Sequence, residues 1–472
     1  MRFTRELNLM VTLVLIAFGA VGLAAVYWSV VGPDTLLQRD DNPRLVEDAI
    51  RLRRGAIMDR RGNLLVESTA DEGGIVTRHY YYPETASATG YFSFRYGVSG
   101  AEAAYDTILS GGTHPADIGT ILLHQPRVGD DIQLTFDLQV QQAIVKAMGD
   151  HQGAVVVLAV PSGDVLALVS LPSFNPNTLD EFWDQLAQDA GKPFFNRVLQ
   201  GNYQPGGLLQ TPLLAAALAD SVTLDTVYTN ATMPVQLEEV TLRCVGSPTG
   251  FSLMLADAFN YTCPAPFVQV VNTLGQDTVE AVFANFQLGQ PPTLPGFIPE
   301  ADSAEATSQP TIQKTTSDFL ATALGQGDLT VSPLQMALVA AAVINEGNAP
   351  QPNALLATHS PQETDWIESR LTRPTLPFMT GTTAEQLRMV MLDAVQSGAA
   401  QAASQPNLAT GGHVTLAYSG EGTQAWFIGF TPPDSGIAVA VVIENSEDTD
   451  LAARIGGIAL GSAFAALTEG GN

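Results

Sequence analysis

An uninterrupted apolar run near the amino terminus is the clearest hydrophobic pattern in the chain. Residues 9–31 carry no charge, follow Arg2 and Arg5, and include Tyr27 and Trp28 near their end. A run of this length crosses a bilayer, and flanking arginines and interfacial aromatic residues are typical of its ends. The pattern predicts a cytoplasmic tail over residues 1–8 and one transmembrane helix over residues 9–31, with the amino terminus inside.

A cleaved signal peptide is the alternative interpretation of this run. Small residues around Gly22, Leu23 and Ala24 offer a possible cleavage site. The run is longer than the usual core of a signal peptide, however, and the possible cleavage falls in its middle. We therefore favour an anchor in the cytoplasmic membrane, with most of the chain on the outer side.

Short alternating runs and turns follow the apolar run. Residues 42–67 combine a charged helical stretch, an apolar strand, an Arg61-Gly62-Asn63 turn and a second strand. The chain up to about Gly129 mixes aromatic residues and glycines without a long helical period. These patterns predict a small N-terminal, membrane-proximal domain over residues 32–130.

From Asp131 the pattern changes to long regular elements. Residues 131–148 read as a strand followed by an amphipathic helix, and residues 153–177 read as a β-hairpin around Pro-Ser-Gly-Asp. A helical middle follows, in which residues 330–347 form a nearly all-apolar helix that we expect to be buried on all sides. Two further β runs and an Ala/Gly/Leu-rich helix end the chain. The order predicts an α+β fold over residues 131–472, with a helix-flanked antiparallel sheet and a mostly helical lobe.

Composition narrows the possible functions. The chain has 472 residues and a net charge of −27, which excludes most nucleic-acid binding because phosphate recognition needs a basic surface. The six histidines show no close ligand spacing, so we expect neither a metal nor another cofactor. Cys244 and Cys263 would face the oxidising side of the membrane, where a disulfide is plausible although spacing alone does not prove it.

Six fragments, in order, resemble class B penicillin-binding proteins, the membrane-anchored peptidoglycan transpeptidases of bacterial division and elongation. They are RGAIMDRRGNLL, YGVSGAEAAYD, LTFDLQVQQA, GAVVVLAVPSGDVLALVSLPSFNPN, ALGQGDLTVSPLQMA and AWFIGFTP. The resemblance covers nearly the whole chain and implies the family's transpeptidase fold. It also implies acyl transfer by a serine activated by lysine in a Ser-x-x-Lys motif, assisted by Ser-x-Asn and Lys-Thr-Gly motifs.

The reacting side chains of all three motifs are replaced in this sequence. Where the family has Tyr-x-Pro-Gly-Ser-x-x-Lys, residues 203–210 read YQPGGLLQ, so Gly207 stands for the nucleophile and Gln210 for the base. Glycine has no nucleophilic group, and glutamine does not accept a proton near neutral pH. Thr262 and Pro264 replace the ends of Ser-x-Asn. Reading back from the loop before Ala425 aligns Tyr418, Ser419 and Gly420 with Lys-Thr-Gly.

Relocated chemistry is the next alternative. The chain has three lysines, Lys146, Lys192 and Lys314, and only Lys314 follows a hydroxyl at the required spacing, from Thr311. That quartet lacks the Pro-Gly entry, so we interpret it as a chance match. Cys263 has no histidine or lysine near it in sequence and a possible partner in Cys244, so a structural disulfide is favoured over a reactive thiol.

Three functions therefore remain open. The first is a pseudoenzyme that scaffolds or regulates a SEDS-family glycosyltransferase, the partner that the resemblance implies, together with other division or elongation membrane proteins. The second is an active D,D-transpeptidase whose motifs are misaligned or relocated. The third is a non-catalytic module that binds peptidoglycan. The loss of several independent reacting groups favours the first.

Overall fold

The fold was analysed in a computed structural model. It describes residues 2–30, 51–72, 74–113, 127–237, 240–290, 292–297, 316–369, 374–419 and 422–469. The apolar run forms one helix, α1 (Arg2–Val30), within which Leu7–Ala25 is a candidate membrane span with a mean hydropathy of 2.3. The large apolar side chains of this span are exposed, as they are on a helix surrounded by lipid. Val31, the last residue of the predicted helix, lies outside the described residues.

Helices and strands follow along the rest of the described residues, whereas most of the charged helical stretch predicted from residue 42 lies outside them. The helices are α2 (Ala86–Thr89), α3 (Gly100–Ala104), α4 (Asp106–Leu109), α5 (Leu138–Met148), α6 (Leu179–Gln188), α7 (Arg197–Gln200), α8 (Gln210–Ala219), α9 (Leu255–Asn260), α10 (Pro264–Leu274), α11 (Gln276–Asn285), α12 (Thr316–Ala323), α13 (Pro333–Ile344), α14 (Gly381–Gln396) and α15 (Thr449–Glu469). The strands are β1 (Ile57–Met58), β2 (Leu64–Ala70), β3 (Val76–Tyr80), β4 (Phe92–Ser93), β5 (Gly97–Val98), β6 (Asp131–Leu134), β7 (Gly153–Ala159), β8 (Val165–Leu171), β9 (Val227–Tyr228), β10 (Val235–Leu237), β11 (Val240–Leu242), β12 (Leu253–Met254), β13 (Asn348–Ala349), β14 (Leu355–His359), β15 (Ile367–Glu368), β16 (Leu376–Pro377), β17 (Gly411–Ser419), β18 (Gly422–Phe430) and β19 (Ile437–Ile443).

A five-stranded antiparallel sheet forms the centre of the larger part of the fold. Its strand order is β17-β18-β19-β7-β8. Alternate residues of β7 face opposite cores: Val155 and Val157 pack with α5 and α15, whereas Val156 and Leu158 pack with α13. Strands buried on both faces need apolar residues at every position, which explains the continuous hydrophobic runs in the sequence. The predicted helix-flanked antiparallel sheet is confirmed.

Helix α13 lies entirely inside the protein. All twelve of its residues are buried. The Ser332 hydroxyl caps its start by accepting a hydrogen bond from the backbone N–H of Gln335. The prediction of a helix buried on all sides is confirmed.

A second, six-stranded sheet crosses the boundary predicted at residue 131. Its strand order is β15-β14-β6-β1-β2-β3. β6 pairs in parallel with β1 and antiparallel with β14, so strands from beyond residue 131 complete the sheet of the N-terminal part. Residues 32–130 therefore do not build this sheet alone.

Buried charges join the elements of the N-terminal part. The Glu102 side chain is fully buried and accepts hydrogen bonds from Arg54 Nε at 2.9 Å and Arg78 Nε at 2.7 Å. The Tyr80 hydroxyl donates to the same carboxylate at 3.2 Å. Two guanidinium groups therefore compensate one desolvated carboxylate, which accepts the Nε–H of each.

Replacing Glu102 tests how much this network of buried charges stabilises the fold. Glu102→Ala leaves two guanidinium groups buried without their main acceptor, so we expect the free energy of unfolding to fall by about 3–5 kcal/mol. Glu385→Ala is the matched control, because it breaks the exposed pair with Arg388 and is expected to cost less than about 1 kcal/mol. Urea unfolding of the full chain, monitored by tryptophan fluorescence, measures the free energy of unfolding of both variants. Equal losses in the two variants contradict the assigned role of Glu102.

Candidate active-site cleft

The structure brings the first two motif positions and part of the third into one cleft. The cleft has a volume of about 290 Å³, and Gly207, Gln210, Thr262, Pro264 and Tyr418 line it. Ser419 ends β17, and Gly420 lies outside the described residues, as does the Thr311/Lys314 pair. The chain segments that the sequence aligned with three separate motifs therefore converge, although they are up to about 200 residues apart.

The Pro-Gly segment that the sequence aligned with the family's catalytic helix does begin a helix here. A single 3₁₀ turn, Gly206–Leu209, leads into α8, and Leu208, Leu209, Leu213 and Leu214 are fully buried. Gly206 has a φ of +55°, and a β-carbon there would lie 2.4 Å from the carbonyl oxygen of Leu416. Only glycine fits this turn, because any side chain would meet the backbone of β17.

Neighbouring side chains occupy the space beside Gly207. A β-carbon at this residue would lie 2.5 Å from Thr262 Cγ2 and 2.6 Å from Thr415 Oγ1. The backbone N–H of Gly207 donates a hydrogen bond to Thr415 Oγ1 at 2.9 Å. The position thus lacks a nucleophile, has no free room for one, and has its backbone donor already paired. A paired N–H is not available to stabilise a developing oxyanion.

Gln210 is the residue that the sequence aligned with the family's lysine base. The residue is 3% exposed and begins α8, one turn after Gly207. Its Oε1 is buried and has no hydrogen-bond partner among the described residues. An amide oxygen accepts hydrogen bonds but takes up no proton near neutral pH, so Gln210 cannot activate a hydroxyl.

A buried histidine that the sequence analysis missed connects the first two motif segments. His413 Nε2 lies 3.1 Å from Thr262 Oγ1, and His413 Nδ1 lies 3.5 Å from Thr211 Oγ1. The imidazole stacks on Phe259 with ring centres 4.1 Å apart. Burial lowers the pKa of His413 from 6.5 to about 3, so the ring is neutral. Since Thr262 Oγ1 donates to the carbonyl oxygen of Val414 at 2.7 Å, the contacts fit a proton on Nε2.

The sequence aligned the third motif with residues 418–420, but the contacts of β17 with the other two motif segments are made by residues that begin five positions earlier, at His413. His413 contacts Thr262, and Thr415 contacts Gly207, whereas Tyr418 lines the cleft and places its backbone N–H 3.1 Å from Gln326 Oε1. In the β17–β18 pair, Ser419 is the partner of Gly422. The alternation of His413, Thr415 and Ala417 on one face is the sequence signal that identifies this segment.

The Thr262 and His413 pair does not form an activated nucleophile. Thr262 is 4% exposed, and its hydroxyl proton is directed at the Val414 carbonyl. An effective general base has a pKa near the operating pH, and a pKa of about 3 is far below it. Among the described residues, no carboxylate contacts His413 to orient it. The geometry therefore gives no Ser-His-type relay at this position.

Cys244 and Cys263 are joined by a disulfide that borders the cleft. The two residues are 19 positions apart, Cys263 is fully buried, and Cys244 lines the cleft. The bond fixes the segment after β11 to the start of α10. Neither cysteine is a free thiol. Within the described residues, no three histidine, cysteine or carboxylate side chains group together as metal ligands.

Comparison with known families agrees with this geometry. Residues 153–466 match the family model for the penicillin-binding protein transpeptidase domain, and residues 54–123 match the model for the penicillin-binding protein A dimerisation domain. The chain belongs to the class B penicillin-binding protein transpeptidase family. Both the family and the fold predicted from the sequence are thereby confirmed.

Relatives of known name are similar over most of the chain. The peptidoglycan D,D-transpeptidase PbpA of Mycolicibacterium smegmatis is 31% identical, over 93% of this chain and 94% of its own length. The structure of penicillin-binding protein A from Mycobacterium tuberculosis as an imipenem acyl-enzyme complex superposes with a TM-score of 0.75 and 28% identity, over 88% of this chain and 99% of that one. A D,D-transpeptidase domain from Eggerthella lenta gives a TM-score of 0.76 and 27% identity over the same shares.

Restoring the serine alone is expected to destabilise the protein. In Gly207→Ser, the new β-carbon collides with Thr262 Cγ2 and Thr415 Oγ1, so we expect a loss of about 1–3 kcal/mol in the free energy of unfolding. The same change in a Thr262→Ser/Thr415→Ala background, which lacks both atoms, should cost clearly less. Gly381→Ser, where the nearest atom is 3.7 Å from the new β-carbon, is the control. Chemical unfolding measures the stability of all these variants. If Gly207→Ser is as stable as Gly381→Ser, Thr262 and Thr415 do not fill the space beside Gly207.

The neutral, buried histidine predicts a pH-dependent stability. Below pH 6.5 the unfolded chain protonates His413, whereas the folded chain stays unprotonated there until pH about 3. The free energy of unfolding should therefore fall by about 1.4 kcal/mol per pH unit between these values through this group. His413→Asn removes that dependence, so the difference in stability between wild type and variant shrinks as pH falls from 6.5 to 4. His151→Asn, at an exposed position, is the control. A constant difference between wild type and His413→Asn contradicts the assignment.

Proposed function

We propose that this protein is a membrane-anchored penicillin-binding-protein-like pseudoenzyme of bacterial peptidoglycan synthesis. It acts as a scaffold or regulator of a SEDS-type glycosyltransferase and transfers no acyl group itself. Residues 1–8 form the cytoplasmic tail, residues 9–31 the single transmembrane helix, and the rest faces the cell wall. Named relatives are peptidoglycan D,D-transpeptidases, which supports a role in the same process.

The surroundings of Gly207 carry this proposal. Acyl transfer of the family's type requires a nucleophile, a base and a donor for the oxyanion. At Gly207 the nucleophile is absent, its space is occupied by Thr262 and Thr415, and the backbone donor is paired. Gln210 and the neutral His413 supply neither a base nor a cation. Together these features oppose covalent catalysis.

The retained architecture supports a binding role. The disulfide, the leucine-rich start of α8 and the close approach of β17 preserve the cleft although its reacting groups are gone. The candidate span and the strands of the membrane-proximal sheet are also retained, and they are the parts through which class B proteins are expected to contact a glycosyltransferase. A protein that kept these surfaces and lost its nucleophile is suited to assembly.

Covalent penicillin labelling tests the absence of acyl transfer. The full chain in detergent is incubated with a fluorescent penicillin and separated on a denaturing gel, beside penicillin-binding protein A of Mycobacterium tuberculosis, which forms a penicillin G acyl-enzyme complex. We expect a labelled band for the relative and none for this chain, because no serine is present at position 207. A labelled band contradicts the pseudoenzyme proposal if it survives boiling and is lost when unlabelled penicillin competes. That result favours an active D,D-transpeptidase.

Binding assays separate the partner from the cell wall. Co-expression of the full chain with a SEDS-type glycosyltransferase of the same cell should yield a complex that survives affinity purification and size exclusion. Sedimentation with purified peptidoglycan tests the alternative that the preserved cleft makes the protein a wall-binding module. Absence of the complex together with saturable sedimentation assigns the protein to the wall-binding class.

A further inference from the structure

The outer edge of the membrane-proximal sheet has unpaired backbone groups. β3 is the last strand of the six-stranded sheet and pairs on one side only, with β2. Hydrogen bonds from Tyr81 N to Leu65 O and from Asp71 N to Ile75 O, both 3.0 Å, fix the alternation of the ladder. Because antiparallel pairs alternate between bonded and non-bonded positions, Val76, Arg78 and Tyr80 direct their N–H and C=O groups away from β2.

One side-chain amide already occupies part of this edge. Tyr80 N donates to Asn177 Oδ1 at 2.9 Å, and Asn177 Nδ2 donates to Tyr80 O at 2.8 Å. The amide of Asn177 thus makes the two bonds that a residue of a neighbouring strand would make. Among the described residues, the outward N–H and C=O groups of Val76 and Arg78 have no such partner. An open edge of this kind is a template for strand addition.

A cavity of about 210 Å³ lies against this edge. Val76, Thr77 and Arg78 line one side, and Phe94, Asn177 and other residues of the 92–94 and 176–180 segments line the other. The Arg78 side chain is only 5% exposed, and its Nη2 is buried without an acceptor. Because the outward N–H groups of Val76 and Arg78 at this edge have no partner among the described residues, the cavity favours a ligand that brings acceptor oxygens to them.

The charges around the cavity favour an uncharged ligand. Arg54 and Arg78 are balanced by Glu102, which pairs with both, and by Asp106, whose Oδ1 lies 2.6 Å from Arg54 Nη1. Asp180 adds a further carboxylate to the lining. A ligand carboxylate therefore meets no excess positive charge, whereas the carbonyl groups of a polypeptide backbone supply acceptors without charge.

We propose that the groove along β3 binds a short, uncharged, extended segment of another polypeptide, which adds a seventh strand to the sheet. Val76 to Arg78 span about 7 Å, so the segment pairs over about three residues. Its backbone bonds the outward N–H and C=O groups of Val76 and Arg78. The proposal does not depend on whether the cleft is catalytic.

A single segment fits this groove better than a second copy of the chain. The 176–180 segment lies beside β3 and contacts it through Asn177, forming a wall opposite the edge. A second copy would present its own β3 edge with the same wall beside it. A single extended strand lies only about 5 Å from the strand with which it pairs, so it needs less space between β3 and the 176–180 segment than a second copy does.

Binding of a defined peptide to the full chain in detergent tests the proposal. The probe is a hexapeptide of alternating threonine and valine, acetylated, amidated and labelled with an uncharged dye; versions with glutamate or lysine in place of threonine are compared by fluorescence anisotropy. We expect saturable binding of the uncharged peptide and weaker binding of the acidic one. Hydrogen exchange of the segment around residues 75–81 should slow when the peptide binds.

Variants of the edge make the test specific. Val76→Pro removes an outward N–H that the ladder does not use, so it should weaken binding at least about fivefold while leaving the thermal midpoint nearly unchanged. Val76→Ala keeps that N–H and should bind like wild type. Asn177→Ala frees the outward groups of Tyr80 and should tighten binding at least about threefold.

Several outcomes overturn the proposal. They are no saturable binding of any of the three peptides, binding that Val76→Pro leaves intact, and failure of Asn177→Ala to tighten it. A change of molecular mass on Val76→Pro, measured by light scattering, assigns the edge to a second copy instead. Displacement of the peptide by a purified peptidoglycan stem peptide assigns it to the cell wall.

Discussion

The close approach between the start of α8 and β17 is the constraint on which the cleft depends. Gly206 turns with a positive φ against the backbone of Leu416, and the next residue donates its N–H to the Thr415 side chain. At these distances a side chain on either glycine requires a change in β17. The approach keeps the helix, the strand and the cleft together, and in this chain a threonine hydroxyl fills the position that a serine side chain would occupy.

A neutral histidine lies at the junction behind this contact. His413 is held between Phe259, Thr211 and Thr262 and is neutral because it is desolvated without a carboxylate partner. The family's mechanism relies on lysines at the base and strand positions, and this chain has three lysines in all. The contacts of His413 are made without a charged partner among the described residues.

In the membrane-proximal part, by contrast, buried charged side chains compensate one another. Glu102 joins Arg54 and Arg78 beneath a sheet whose strands come from both parts of the chain. Arg61 extends this connection, bonding Asp137 at the start of α5 and the carbonyl of Ala466 in α15. Contacts between segments this distant in sequence join the membrane-proximal sheet to the helices that cover the five-stranded sheet.

The sequence by itself determined the elements whose signals are local. The apolar run of α1, the β7–β8 hairpin, the all-buried α13 and the Pro-Gly entry to α8 follow from residue periodicity and turn chemistry within short windows. The absence of a serine at Gly207 and of a lysine at Gln210 is also read directly from the chain. Only the tertiary structure decided that Thr415 fills the site, that His413 joins two motif segments, and that β3 is an open edge. Those features depend on contacts such as that between Gly207 and Thr415, which are 208 positions apart, and a pattern within one segment does not specify its partner in the other.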